Sequence, residues 1–461
     1  MTIEEDMKNI ENHTEIEEAL EEAGDELSTY RDRRAQRHEK LQARHRSVLD
    51  QFLGEGPRYT AVLSTPPYYG ALLVWAAYRA IESEGWQVER LLQYHEAEPV
   101  YFDIETSPEE MLNRVGDGQF LLSRGEERLI LTINVLSRSM NTICAETQKL
   151  RQGTADYFVE EVNSVMQKEN FYRGHILEFQ GRLGFLKPET RDFEGVILDP
   201  EVKREIRDNT VGFLENGDTW RRFGIPVRRG VLLAGEPGTG KTILCKAILS
   251  EARGMTGILA SAYHIDDNEY IRFLYSIARD LAPAIVVIED IDILAQDREL
   301  FGYSRGPALL ALLAEMDGIT EQCGIVTVAT TNHLETLDKA LRQRPSRFDR
   351  VICLSLPDEA ARRALIGKLT GRIPLAPDMQ HYLARHTEST TPAQLQEMMY
   401  SLVIENRELI TAEGLPEVTT DMLDGIIRRV RGTGNPRLGF ITLDSEARRE
   451  ARAPYNQENK T

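Results

Sequence analysis

The sequence predicts an α/β protein: a doubly wound parallel sheet with a C-terminal helical lid, preceded by a small α+β domain and a charged arm. Between residues 193 and 356, five short apolar runs alternate with helical stretches. Strands of a parallel sheet covered on both faces read as continuous apolar runs of this kind. After residue 357 the strand patterns stop and several helical patterns follow, while residues 58–183 mix both.

At 461 residues the chain is too long for one ordinary core. Changes in composition and in hydrophobic periodicity along the chain predict five segments. In order, they are a charged arm, an N-terminal α+β domain, an α/β core, a helical lid and a loose tail. Their expected bounds are 1–50, 51–190, 191–356, 357–431 and 432–461.

Composition excludes several classes of protein. A formal net charge of −19 argues against broad, sequence-blind binding to nucleic acid or anionic lipid. No apolar run is long enough to span a bilayer, and the acidic N-terminus lacks a signal-peptide pattern. The cysteines form no CxxC pair and are expected to be reduced thiols: Cys144, Cys245, Cys323 and Cys353. We therefore expect a cytoplasmic protein without a transmembrane segment.

The arm changes the sign of its charge along its length. Through Glu26 it carries eleven acids and one lysine, and Ser28–Arg46 carries seven basic residues and two acids. Such a segment buries little surface by itself, so we expect a solvated helix or a disordered arm that could dock on a partner.

The N-terminal domain shows strand and helix patterns but no chemistry. The expected helices are "YGALLVWAAYRAIESEG" (69–85) and "ADYFVEEVNSVMQKEN" (155–170). The expected strands are "YTAVLST", "PVYFDIE", "QFLLSR", "RLILTINVL" and "GHILEFQG". With no nucleophile–base spacing, metal cluster or Gly-rich loop, this domain does not identify its own ligand.

The core strands are expected at "GVLLAG" (230–235), "TGILASA" (256–262), "AIVVIED" (284–290), "GIVTVATT" (324–331) and "RVICLSL" (350–356). The first of them runs into "GEPGTGKT", a glycine-rich loop that fits the P-loop pattern and opens a helix. Glycines let backbone N–H groups close on phosphate oxygens, and the helix N-terminus adds partial positive charge. The residues expected to cradle the nucleotide are Gly235, Glu236, Pro237, Gly238, Thr239, Gly240, Lys241 and Thr242. Lys241 would supply the charge at the β- and γ-phosphates of ATP, and Thr242 a hydroxyl for Mg²⁺.

About fifty residues later a buried strand ends in two acids, Glu289 and Asp290. The carboxyl ends of parallel strands meet at one edge of a sheet, so both acids should lie beside the P-loop. We expect Glu289 to hold Mg²⁺, directly or through water, and Asp290 to orient the attacking water.

Five motifs, in the order in which they occur along the chain, resemble those of an AAA+ ATPase of the AAA clade proper. They are "RRGVLLAGEPGTGKT", "VVIEDID", "ALLAEMDG", "VATTN" and "LDKALRQRPSRFDR", and the resemblance covers residues 192–431. It implies that Asn332 is the sensor residue that holds the attacking water or the γ-phosphate. It implies that Arg344 and Arg347 are paired arginines that reach a neighbouring subunit's γ-phosphate. Guanidinium groups delivered in trans stabilise charge in the transition state.

The same resemblance assigns the adenine side of the site. Val196 and Ile197 stand where the family packs the adenine ring. "TTPAQLQEM" (390–398) resembles the start of the lid helix, which brings Ala393 to the nucleotide. Pro392 departs from the glycine that is usual in the family at this point.

Two further departures bear on function. The two acids stand in the order Glu289-Asp290, whereas Asp-Glu is the familiar order at such sites. In this respect the chain resembles the branch that contains the mitochondrial Rieske-protein translocase, although that protein carries a transmembrane helix. "SAYHIDDNEY" (261–270) replaces the aromatic-hydrophobic-Gly loop of protein-threading unfoldases. It leaves Tyr263 and His264 as the only candidates to grip a chain.

The sequence thus predicts a homo-oligomeric ring, expected to be hexameric, that uses ATP and Mg²⁺ to remodel or convey a protein bound through residues 1–190. The alternative is an ATP-gated oligomeric switch or scaffold that recruits an effector protein, for example in a bacterial conflict system. A nucleic-acid motor is disfavoured by the negative charge.

Overall fold

The computed structural model describes residues 42–432, apart from short internal segments at 93–98, 136–139, 187–192, 266–267, 296, 299–302, 305, 320–323, 336, 338–347, 372, 374 and 408–416. Residues 1–41 of the arm, the tail from residue 433, and both Arg344 and Arg347 lie outside the described residues. The chain divides into two compact units, residues 1–187 with 254–260, and residues 188–253 with 261–461.

The first unit is built on a six-stranded antiparallel sheet. Its strands are β1 (Arg58–Thr65), β2 (Gln87–Leu92), β3 (Val100–Glu105), β4 (Met111–Arg124), β5 (Glu127–Asn134) and β6 (Asn141–Gln148). They are ordered β1-β6-β5-β4-β2, and β3 pairs with the other end of β4. The same unit holds the hairpin of β7 (Ile176–Phe179) and β8 (Leu183–Phe185), and β7 runs parallel to β10 (Thr256–Ser261).

Helices cover both faces of the middle of this sheet. The helices are α1 over residues 42–53, α2 (Gly70–Ser83) and α3 (Gln152–Lys168). The ring of Phe120 on β4 packs edge-on against Tyr78 of α2. Its neighbour Leu121 points to the opposite face, because side chains alternate along a strand, and there it contacts α1. Helix α1 is therefore part of the folded domain, although its residues 42–50 fall within the predicted charged arm.

The second unit has the predicted parallel sheet. Four of its strands are β9 (Arg228–Ala234), β11 (Ala284–Glu289), β14 (Ile325–Thr331) and β15 (Arg350–Cys353). They pair in parallel in the order β15-β9-β14-β11. Two short strands that the sequence did not predict, β12 (Asp297–Arg298) and β13 (Tyr303–Ser304), form an antiparallel pair.

Three helices precede this sheet in the chain: α4 (Pro200–Asn209), α5 (Val211–Glu215) and α6 (Gly217–Arg222). The helices between its strands, which parallel pairing requires, are α7 (Lys241–Glu251), α8 (Asn268–Asp280), α9 (Asp292–Ala295) and α10 (Gly306–Gly318). This is the α/β architecture that the alternating pattern predicted.

The lid follows as four helices: α11 (Glu359–Thr370), α12 (Pro377–His386), α13 (Pro392–Glu405) and α14 (Thr420–Gly432). They share one apolar core that includes Ile366, Leu395 and Ile426. Thr391 begins α13 with a capping box, in which Thr391 and Gln394 each bind the other's backbone N–H through a side-chain oxygen. Within the described part of the chain, no helix is both long and apolar enough to cross a bilayer.

The packing of α1 gives a stability prediction. Phe52 is 8% exposed and packs with Leu121 and Ile130, while Gln51 on the same helix is exposed. Truncating a buried Phe costs about 3–5 kcal/mol, so Phe52→Ala should lower the free energy of unfolding of the first unit by this amount. Urea denaturation of the full chain measures it, and Gln51→Ala is the control, expected within about 0.5 kcal/mol of wild type. Equal effects of the two substitutions would show that α1 is not part of this core.

Candidate nucleotide site

The P-loop joins β9 to α7, and its shape depends on glycine. Gly238 and Gly240 have φ angles of +84° and +98°, in the left-handed region that side chains other than glycine disfavour. A Cβ atom at Gly235 would lie 2.8 Å from the carbonyl oxygen of Leu354. The loop therefore takes this close turn only with glycine at these positions.

Lys241 is the cation at the centre of the site. Its Nζ donates hydrogen bonds to the carbonyl oxygens of Gly235 at 2.7 Å and Glu236 at 3.0 Å, and the residue is only 7% exposed. Burial lowers the pKa of Lys241 below its usual value, and the carboxylates of Asp290 and Asp292 oppose that shift. The loop thus curls around its own ammonium group, which lies near two acids.

The residues near Lys241 in sequence differ in their exposure. Thr239 is buried and donates from Oγ1 to the carbonyl oxygen of Glu236 at 2.9 Å, which tightens the turn. Pro237 is exposed within the loop, and Thr242 is exposed in the first turn of α7. The hydroxyl of Thr242 is therefore open to a ligand.

Glu289 is the last residue of β11, and its Oε1 is buried with no hydrogen-bond partner among the described residues. A buried polar atom without a partner is rare in folded proteins, and a missing ion is one of its explanations. Carboxylate and hydroxyl oxygens are ligands that Mg²⁺ prefers. Glu289 and Thr242 therefore fit the magnesium ion that the sequence predicts.

Asp290 follows with a strained backbone. Its φ of +56° is left-handed, a region where Asp and Asn are among the best tolerated residues after glycine. Thr330, near the end of β14, holds this conformation: its Oγ1 accepts from the Asp290 N–H at 2.9 Å, and its carbonyl oxygen accepts from the Ile291 N–H at 2.9 Å. Strained residues of this kind cluster at functional sites.

Asn332 lies just beyond β14 and connects two of the acids. Its side-chain Nδ2 donates to Oδ1 of Asp290 at 3.0 Å, and its backbone N–H donates to Oδ1 of Asp292 at 3.2 Å. The structure thus brings Asn332, the predicted sensor residue, to the acid that we expect to orient water.

Asp292 was not among the residues predicted for the site. It is 4% exposed, although an unpaired acid is seldom buried so deeply. The sequence signal was its position two residues beyond Asp290 in "EDID", where a third acid after a buried strand stays at the same sheet edge.

The lid contacts the P-loop directly. The backbone N–H of Ala393 donates to the Gly238 carbonyl oxygen at 3.2 Å. A Cβ atom at Gly238 would lie 3.0 Å from Oγ1 of Thr391, so a larger residue there would crowd this contact. Pro392 is the first residue of α13, where a helix needs no N–H donor. The departure from glycine at Pro392 is thus compatible with the contact between lid and loop.

The two residues expected at the adenine ring, Val196 and Ile197, are half-buried in the connection before α4. The neighbouring Gly195 accepts a hydrogen bond from Nζ of Lys368 on lid helix α11 at 2.7 Å. This connection is therefore tied to the lid, and packing of adenine against Val196 and Ile197 stays a prediction.

The remaining predicted residues are less informative. Arg344 and Arg347 lie outside the described residues, and their role stays a prediction. Tyr263 is 64% exposed in the short helical turn Ala262–His264, with its ring edge-on to His264 at 5.7 Å.

Comparison with known proteins agrees with this geometry. Residues 231–356 match the family model for "ATPase family associated with various cellular activities (AAA)". The chain is 36% identical over 257 residues to the ATP-dependent zinc metalloprotease FtsH 2 of Sphaerobacter thermophilus, covering 52% of this chain and 38% of that protein. It is also 36% identical over 258 residues to the ATP-dependent zinc metalloprotease FtsH 3 of Sorangium cellulosum, covering 53% of this chain and 42% of that protein.

The alignments thus span about half of this chain but well under half of these relatives. The matched family model begins inside β9 and ends just before the lid, so it contains the P-loop, the three acids and Asn332. The chain therefore contains an ATP-hydrolysing AAA domain.

Proposed function

We propose that this chain is a ring-forming ATPase that couples ATP hydrolysis to remodelling or conveying a protein partner. The observation that carries the proposal lies at the carboxyl ends of β9, β11 and β14. There Lys241, hydrogen-bonded to its own loop, interacts electrostatically with Asp290, and Asn332 donates a hydrogen bond to Asp290. A protein partner is supported by the relatives, whose names describe ATP-dependent metalloproteases.

The residues of the site have distinct roles in this proposal. Backbone N–H groups of the P-loop and the ammonium of Lys241 bind the phosphates of ATP. Glu289 and Thr242 hold Mg²⁺, which neutralises charge on the phosphates when bound. Asp290 accepts a hydrogen bond from the attacking water, and the Asn332 amide fixes the Asp290 carboxylate.

Ring formation is proposed from the paired arginines. Arg344 and Arg347 would complete a neighbour's site in a homo-oligomer that we expect to be hexameric. The hydrogen bond from Ala393 to Gly238 offers a route by which phosphate binding moves the lid against the core. Residues 1–190 are the proposed place for the protein partner to bind, and the cytoplasm the proposed location.

The second candidate function is an ATP-gated switch that recruits an effector protein. It is favoured by the short connection between Ser261 and Asn268, which leaves few residues to grip a polypeptide. The order Glu289-Asp290 supports placing the chain in the branch of the Rieske-protein translocase.

ATPase rates measured with denatured protein, folded protein and DNA separate remodelling from the switch. Stimulation by denatured protein supports remodelling. Slow basal turnover with ATP-driven assembly supports the switch.

Lys241→Ala should abolish ATP binding, because the site loses its cation at the β- and γ-phosphates. The measurement is the Kd of a fluorescent ATP analogue. Lys246→Ala removes the same charge from the same helix and is the matched control, expected to bind normally. An unchanged Kd in Lys241→Ala would refute the phosphate-binding assignment.

Asp290→Asn should leave ATP binding intact and reduce kcat by about 10²–10⁴-fold, as loss of a general base does. Asn tolerates the left-handed backbone, so the substitution should not disturb the turn. Steady-state ATPase assays test this, with Glu289→Gln expected to weaken the Mg²⁺ dependence instead. Wild-type turnover in Asp290→Asn would show that the roles of the two acids are wrongly assigned.

Arg347→Ala tests the shared site. The variant should bind ATP with its own P-loop but hydrolyse little, since an arginine supplied in trans contributes about 10³–10⁵ in rate in related nucleotide hydrolases. Mixing it with Lys241→Ala should restore some activity, because an intact P-loop can then face an intact arginine. Full activity of Arg347→Ala alone would rule out catalysis between subunits. If rings that are shown to contain both variants regain no ATPase activity, there are two explanations. Either the arginines act within their own subunit, or all sites of a ring must hydrolyse ATP together.

A further inference from the structure

We propose that Asp292 is a positioning residue for ATP hydrolysis: it fixes the backbone of Asn332 so that the Asn332 side chain holds the Asp290 carboxylate. The inference rests on the proposed function, in which Asp290 orients the attacking water. It concerns a buried acid that itself touches neither nucleotide nor water in this scheme.

The geometry behind the proposal is a chain of two hydrogen bonds through one residue. Oδ1 of Asp292 accepts from the Asn332 backbone N–H at 3.2 Å. The Asn332 side chain then donates to Oδ1 of Asp290 at 3.0 Å. Because Asn332 is the first residue after β14, it lacks the strand pairing that fixes the residues before it. The carboxylate of Asp292 takes the place of that pairing.

The burial of Asp292 supports this positioning role. Asp292 is 4% exposed, and burying an ionised carboxylate is costly unless hydrogen bonds or charges compensate. The oxygen that accepts from the Asn332 N–H restricts the Asn332 backbone, and a side chain without an acceptor would leave that N–H unpaired. The left-handed backbone at Asp290 adds a need for support, because a strained turn persists only when its surroundings hold it.

The test compares two substitutions of one residue. Asp292→Ala removes the acceptor, while Asp292→Asn keeps an oxygen in the same place. Loss of an outer-shell partner typically costs about 10–100-fold, and we expect Asp292→Ala to lose kcat in this range with the Kd for ATP unchanged. Asp292→Asn should keep most of the kcat. Thermal unfolding of each variant establishes that it is folded. If Asp292→Ala is not folded, Asp292→Leu replaces it, because leucine has a similar size but no acceptor, and the same loss of kcat is expected.

A double-mutant cycle separates positioning from a general structural effect. In an Asn332→Ala background no side-chain amide remains to be positioned, so adding Asp292→Ala should cause no further loss of kcat. An additive loss, an Asp292→Asn variant as slow as Asp292→Ala, or a Kd that rises with the loss of kcat would each overturn the proposal.

Asp290→Asn measured beside these variants keeps the two hypotheses apart. If Asp290→Asn turns over normally, the proposed function of that acid has failed. If Asp290→Asn and Asn332→Ala are slow but Asp292→Ala is not, only the positioning role of Asp292 has failed.

Discussion

The structure of the site depends on how three carboxylates are kept together at the end of one buried strand. Glu289, Asp290 and Asp292 lie within four residues of sequence, and like charges so close repel one another. The neighbouring cation, Lys241, and the donors of Asn332 offset that repulsion. Each acid has a different environment: Glu289 has a buried oxygen without a partner, Asp290 has a strained backbone, and Asp292 is buried and hydrogen-bonded. Different environments are what allow neighbouring acids to take different roles.

The parallel sheet is what makes this arrangement possible. The register of β14 places Thr330 opposite Leu233 and Ala329 opposite Ile288, so the ends of three strands arrive at the same level. Thr330 then binds the backbone of the turn that follows β11, and Asn332 binds its side chains. The lid adds a contact from the other side, since the Ala393 N–H reaches the Gly238 carbonyl oxygen. The lid is therefore in direct contact with the phosphate-binding loop.

The sequence predicted the fold of the second unit well because its strands are continuous apolar runs flanked by glycine and acids. In the first unit it missed β2 and β6, whose polar and charged side chains hide the strand pattern. It also missed β8, which is only three residues long. It also placed the start of α1 in the charged arm, because the arginines before Leu49 obscured the apolar face of the helix. In the site, glycine spacing predicted the P-loop, but no local pattern revealed that Asp292 binds a residue forty positions away. Hydrogen bonds between distant segments require the register of the sheet, which one sequence does not give.

The central claim is that one active site combines the phosphate loop and acids of one subunit with the arginines of the next. Electron cryo-microscopy of the full chain with a slowly hydrolysed ATP analogue and Mg²⁺ tests it most directly. The account predicts a closed ring, with the γ-phosphate beside Lys241, the magnesium ion beside Glu289 and Thr242, and Arg344 or Arg347 of the adjacent subunit reaching that phosphate. A nucleotide bound elsewhere, or arginines that reach the phosphate of their own subunit, would contradict it.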